Sequence, residues 1–527
     1  MHTAFLSARI LTGNPDSPRA EAVLIEDNTI VALGSDEEIL ERCPEGTKKI
    51  PLPGCFITPG FVDAHTHLWS LGHNLTMVEL RGLTSLKACQ DAIAKAAEKA
   101  GPGEWIMGRN WNQNIWEEKR DPTRHDLDAV CPDNPAVMIR ICGHANWSNT
   151  RAFELAGVTA DTPEPFGGKI DREDATNLPA GVVRETREVV EDAIPAPDME
   201  MRKKGFLNCQ DIFLSLGITC VHSFETLTDY KVIREVEKEG NLKMRVYHTV
   251  HEDEQDAFDD WQRENPPQTD MLWHGHIKMF ADGSLGAKSA YMHAPYEGSD
   301  TNCGICCMTA DQMVKNVKHA YASGRGVIFH AIGDRALTQC LDAIETARKD
   351  FPGEHHDRIE HVQLALPRDL ERMKEMGIAA SVQPMAVLTD WYVAEEIWGS
   401  ERCKNSYPWK TMSDMGLRLI FSSDAPIEPM SPMETLQVAV TRMGVGAAPD
   451  SPWHPEQCVS LDTALNAYFG HAGWTTGKEE IFGSLAPGKR ADLTILDRDP
   501  FAVAKDEIHD IQVRMTVVDG KVVYENQ

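Results

Sequence analysis

The chain has 527 residues, 42% apolar and 25% charged, which is ordinary for a globular protein and excludes a disordered or fibrous one. Lys and Arg total 52 against 81 Asp and Glu, a net charge of −29, so the basic face that nucleic acid or an anionic membrane requires is not expected. No run reaches the ~18 apolar residues of a membrane span, and MHTAFLSARILTGNPDS lacks signal-peptide order, so the expected setting is cytoplasmic.

Both ends predict β-structure. Residues 22–33 form two apolar runs around a polar turn, and residues 513–525 form two more around Asp519-Gly520, a strong hairpin signal. Neither end has enough strands to bury a face alone. The expected solution is a composite β-sandwich from residues 1–57 and 480–527, with residues 58–479 forming a separate domain.

That central stretch holds eight short β-like runs ending in polar or ionisable residues: 55–67, 217–223, 244–250, 276–282, 326–334, 358–362, 377–384 and 417–426. Segments such as DQMVKNVKHAYASG and RALTQCLDAIETARKD lie between them with apolar residues at helical spacing. The expected fold class is therefore α/β, a (β/α)8 TIM barrel. The long first gap, about residues 70–215, predicts an insertion after strand 1, with helical stretches, several tryptophans and a Pro/Gly-rich patch.

The candidate chemistry lies at the ends of these runs. In Asp63-Ala64-His65-Thr66-His67, positions two apart on a strand share a face, so His65 and His67 can present two imidazoles together. His-x-His is also compatible with two polar residues at a strand end. Lys278, His330, His361 and Asp424 each follow an apolar run, where a polar group is costly unless partnered. If the strands converge, four imidazoles, one amine and one carboxylate meet, a set suited to zinc, with manganese, iron or cobalt as alternatives.

An ammonium beside cations would be repelled. A buried lysine can lose its proton and add carbon dioxide, giving a carbamate that bridges two metals. Two dications against one carbamate, one aspartate and one hydroxide leave net positive charge for a developing oxyanion. The competing reading is a plain lysine that binds an anionic substrate.

The motifs TPGFVDAHTHLW, KMFADGSLGAKSA, FHAIGDRA, RIEHVQ, FSSDAP and GSLAPGKRADLTILD resemble the amidohydrolase superfamily, in particular amidohydrolase family 3 and its N-substituted formamide deformylases. The likeness extends into the insertion through GRNWNQNIW, DPTRHDLDAVCPDNPAV and GHANWSNTRAF. It implies two divalent metal ions. His65 and His67 would serve one and His330 and His361 the other, with carboxylated Lys278 as the bridge and Asp424 as ligand and proton carrier. The implied activity is hydrolysis of a nonpeptide C–N bond in a small amide or formamide. The alternatives are a deaminase, lactonase or carbamate hydrolase with the same metals, or a ligand-binding protein that has lost turnover.

Trp69, His144, Trp147, His222, Asp282 and Trp391 are the expected substrate-side residues, with His222, Asp282 and Ser284 also able to orient ligands. Thirteen cysteines, an odd number thinly spread, read as reduced thiols, and Cys303, Cys306 and Cys307 as a loop with incidental thiols. The expected partner is a small-molecule substrate. Homodimerisation is an expectation from the prevalence of two-fold symmetry.

Overall fold

In the computed structural model, which describes residues 1–265, 268–445, 449 and 451–526, each of the eight runs overlaps a strand of one parallel sheet. In chain order these are β1 (Phe61–Thr66), β2 (Ile218–Ser223), β3 (Arg245–His251), β4 (Leu272–Phe280), β5 (Gly326–Ala331), β6 (Arg358–His361), β7 (Ala379–Val382) and β8 (Leu419–Phe421). Each pairs with its sequence neighbour. Thr66 bridges Ala425 in parallel, and the Asp424 and His67 amides donate to the His65 and Ala425 carbonyls, both at 2.8 Å, which closes the ring. The chain is a (β/α)8 barrel with further sheets.

The helices between strands follow from their sequences. Ala310–Ala322 starts at a capping box of Thr309 and Gln312, and buries Met313, Val317, Ala320 and Tyr321, one stripe at helical spacing. Asp334–Arg348 buries Leu337, Cys340, Leu341 and Ile344 in the same way.

Run 55–67 reads as one strand by composition, yet it serves two sheets. Phe56–Pro59 pairs with Leu493–Leu496, and the barrel strand begins at Phe61. Gly60 is the joint, where a Cβ would meet Thr219 Oγ1 at 2.1 Å. Close approach of a neighbouring strand excludes any side chain there. Polar–apolar alternation carries no sign of such a change of partner.

The N-terminal strands Thr29–Gly34, Ala22–Glu26, His2–Leu6 and Lys48–Pro51 form a four-stranded sheet. A six-stranded sheet joins the two ends of the chain, in the order Lys521–Glu525, Val513–Val518, Leu493–Leu496, Phe56–Pro59, Arg9–Leu11 and Arg19–Ala20. One core is common to both, with Phe5, Val23 and Ile25 packed among Ile10, Ile57, Ile495 and Val517. Arg245 of β3 fixes the six-stranded sheet, pairing with both oxygens of buried Asp492 at 2.6 and 3.0 Å.

Ser70–Asn208 form a second unit. Its centre is a six-stranded sheet, a feature that composition and helical spacing did not reveal. Trp111, Trp116 and Trp147 pack against one another in its core, with ring centroids 5.9–6.2 Å apart. No helix among the described residues is long and apolar enough to cross a membrane.

Candidate metal centre

The C-terminal rim of the barrel gathers the six residues singled out above. His65 points inward from β1, 1% exposed, and His67 follows that strand directly. Asp424 lies three residues beyond β8, with a φ of 57°. Its Oδ1 is 3.4 Å from His65 Nε2 and 3.2 Å from His67 Nε2. Two donors about 2.0–2.1 Å from one tetrahedral ion stand roughly 3.3 Å apart, so this spacing fits a shared divalent cation. Among the described residues, His65, His67 and Asp424 are the group whose ligand atoms all lie within 4.8 Å of one another.

His361 adjoins this group. Its ring centroid is 5.3 Å from that of His65 and 4.4 Å from that of His330. It ends β6 with a φ of 76°, a left-handed conformation that non-glycine residues rarely adopt. Such strain persists where surrounding structure enforces it, typically at functional sites.

Hydrogen bonds set which ring nitrogen each imidazole can offer. His65 Nδ1 meets Glu360 Oε2 at 2.8 Å, which places its proton on Nδ1 and leaves Nε2 free toward Asp424. His361 Nδ1 meets Gln383 Oε1 at 2.8 Å, and Gln383 Nε2 in turn donates to Ser422 Oγ. His330 Nε2 donates to the Gly283 carbonyl at 3.1 Å, leaving Nδ1 available. A neighbour that fixes the tautomer is the usual support of a metal-ligating histidine. Burial also favours neutral imidazole, pushing His361 down to about 4 and His65 and His330 well below 6.5.

Lys278 extends from β4, 1% exposed, and its Nζ has no hydrogen-bond partner. The Phe224 and Phe280 rings lie 4.7 Å from it. Burial lowers its pKa to about 8. An orphaned, easily deprotonated amine among four imidazoles leaves Lys278 able to act as a neutral nitrogen, and the whole donor set fits divalent metals.

A cavity of about 330 Å³ opens over these groups, bordered also by Phe280, Leu285, Ile332, Ala386 and Ile427. Trp69 is half-buried, with its amide donating to Glu225; His222 is buried, with Nδ1 2.7 Å from Arg358; Trp391 is half-buried; none of the three borders the cavity. Asp282 is a structural tie, accepting from the Tyr291, Ile332 and Gly333 amides at 2.8–3.1 Å, and burial raises it to about 7. Ser284 does border the cavity. In the second unit Trp147 is core, its Nε1 donating to the Thr123 carbonyl, so packing accounts for it; His144 is exposed. The Cys303–Cys307 loop is held by the Cys303 carbonyl and Cys307 amide, its cysteines form no disulfide, and the Cys306 thiol donates to the Met308 carbonyl.

Sequence reasoning missed several residues. Glu360 is fully buried beside His65 and also accepts from Arg358 Nε at 2.6 Å. Asp63 Oδ1 accepts from the Ser423 and His65 amides at 2.9 and 3.3 Å, joining β1 to the loop after β8. Gln363, Asp390 and Glu428 border the cavity. The signal for Glu360 was a charged residue inside a four-residue buried strand.

The sequence pattern of the Amidohydrolase family matches residues 50–524. YtcJ of Bacillus subtilis, named as an amidohydrolase, is 31% identical over 526 residues and 98% of each chain. The N-substituted formamide deformylase of Arthrobacter pascens is 27% identical over 536 residues, 99% of this chain and 98% of its own. Among solved structures, an uncharacterized metal-dependent hydrolase from Pyrococcus furiosus superposes with a TM-score of 0.80 at 31% identity, covering 95% of this chain and 100% of that one.

Proposed function

Since the chain belongs to the Amidohydrolase family, we propose that it hydrolyses a nonpeptide C–N bond of a small amide or N-substituted formamide at the barrel rim. The observation that carries this reading is the convergence of His65, His67 and Asp424 within 4.8 Å, in one cavity with His330, His361 and the unpartnered Lys278 amine. His65, His67, Asp424, His330 and His361, together with a Lys278 carbamate, would hold two divalent ions, zinc being the first candidate. Such ions supply a water acidified toward neutrality and a polarised carbonyl.

The remaining chemistry belongs to the chain. Neutral Lys278 adds carbon dioxide at Nζ and releases one proton, giving an anionic carbamate. Asp424 accepts the proton of the attacking water on Oδ2, the oxygen turned away from His65 and His67, and returns it to the departing nitrogen. That return matters, because an amine leaves poorly unless protonated. Glu360 and Gln383 keep the imidazoles of His65 and His361 in one tautomer through both transfers. The deformylase relative favours a formyl group as the acyl part.

The test is metal analysis and a substrate screen on one sample. About two divalent ions per chain with hydrolysis of N-substituted formamides is the expected result. Metal-replete protein that cleaves no formamide or amide would overturn the reading.

A further inference from the structure

The cavity has a second polar wall that the hydrolytic machinery leaves unused. Asp390 belongs to helix Val387–Ile397 after β7, and Glu428 lies in the loop after β8; both border the cavity. Neither carboxylate forms an ion pair with a Lys, Arg or His among the described residues. Asp390 Oδ2 accepts from Tyr407 Oη at 2.6 Å and Gln363 Nε2 at 3.2 Å. Glu428 Oε1 accepts only a long bond from Thr389 Oγ1 at 3.4 Å.

Gln363 supplies an independent observation. It is 7% exposed and borders the same cavity; its Nε2 is committed to Asp390, while its Oε1 has no hydrogen-bond partner. A buried, unsatisfied amide oxygen is costly and marks a place where a donor is missing. All the uncommitted polar atoms on this wall are thus acceptors. Burial, then the neighbouring Asp390 charge, pushes Glu428 up to about 7, so roughly half of it is protonated near neutral pH, and a cation docked beside Asp390 would favour its ionised form. No arginine borders the cavity, and its one lysine is Lys278, among the imidazoles.

We propose that Asp390, Glu428 and Gln363 Oε1 form a cation-selecting subsite that takes an ammonium carried by the substrate. The apolar residues Ile332, Ala386 and Ile427 border the same cavity and suit an alkyl spacer. The substrate class is then an N-acylated amine with a second, protonated amine at its far end. This deepens the proposed amide hydrolysis and rests on it for the reaction, while the ammonium binding itself does not depend on turnover. An anionic tail would meet two carboxylates and is rejected.

The test uses full-length, metal-replete protein near neutral pH and three probes of equal length: mono-N-formyl-diaminobutane, N-formyl-pentylamine and N-formyl-4-aminobutanoate. Charge-assisted hydrogen bonds are about twice as strong as neutral ones, so kcat/KM for the ammonium probe should exceed that for the alkyl probe by about tenfold or more, with the carboxylate probe slowest. In Asp390→Asn and Glu428→Gln the ammonium-to-alkyl ratio should fall toward one. A second arm measures calorimetric binding of pentylammonium against pentanol in the same proteins, expecting tighter ammonium binding that each variant weakens. Ammonium binding lost in both variants, without turnover of any probe, would leave the subsite standing and overturn the formamide reading. Equal kcat/KM for ammonium and alkyl probes, or a ratio that neither variant moves, would overturn the subsite.

Discussion

His65 Nδ1 and Glu360 Oε2 stand 2.8 Å apart, with both side chains withdrawn from solvent. The other oxygen of Glu360 takes the Arg358 guanidinium, so one carboxylate orients a metal-facing imidazole and neutralises a buried cation. Glu360→Gln should therefore weaken metal binding by about 10–100-fold, the usual effect of losing such a supporting group. It should also destabilise the fold by roughly 3–5 kcal/mol, because Arg358 is left buried and unpaired. Chelator competition and denaturant melts of the apo-protein measure the two effects separately. Unchanged metal affinity would remove Glu360 from this role.

Asp424 tests the proton path. Asparagine preserves the shape and one oxygen but cannot accept a proton, so Asp424→Asn should keep its metal. Its kcat should fall by about a hundred- to ten-thousandfold, the range for general acid–base groups. Elemental analysis alongside the rate measurement keeps the two effects apart. A variant with full metal occupancy and nearly normal turnover would defeat the assignment.

Lys278 gives a pH dependence with a definite sign. Burial lowers its pKa from 10.5 to about 8, and the neutral amine is the form that reacts with carbon dioxide. In apo-protein at fixed dissolved carbon dioxide, carbamate on Lys278 should increase as pH rises through about 8. One unit below that value roughly a tenth of the amine is neutral, and one unit above it roughly nine-tenths. Carbon-13 NMR with labelled bicarbonate would show the signal, and Lys278→Met should lack it. A signal that is flat with pH, or still present in Lys278→Met, would contradict the carbamate.

The barrel was legible because a buried parallel strand is a short apolar run, and His65, Lys278, His330, His361 and Asp424 each interrupt or end one. What that pattern cannot show is which wall a polar residue faces. Glu360 and His361 are adjacent, so simple alternation would place them on opposite faces, whereas the left-handed φ at His361 ends the strand and lets both serve the site. Gln363 and Glu428 lie in loops, where residue spacing has no period to interpret, and Asp390 lies on helix Val387–Ile397, whose spacing does not tell what a polar position meets. Tryptophan type is equally silent on orientation: Trp147 reads as a candidate for recognition and lies in a core. The sheet of the second unit was missed because Asn and Trp interrupt its short strands, as in Ala145–Ser148.

Trp147 supplies the last prediction, since its two readings diverge. It is fully buried beside Trp111 and Trp116, with its Nε1 bonded to a carbonyl. Removing the indole leaves a large void and takes one of two donors from the Thr123 carbonyl, so Trp147→Ala should destabilise the Ser70–Asn208 unit by about 3–5 kcal/mol. Trp147→Phe should retain part of that loss by refilling the void while still lacking the donor. Denaturant melts followed by tryptophan fluorescence would report an early transition for the alanine variant. If that variant melted like the parent and only KM rose, the indole would belong to recognition and not to the core.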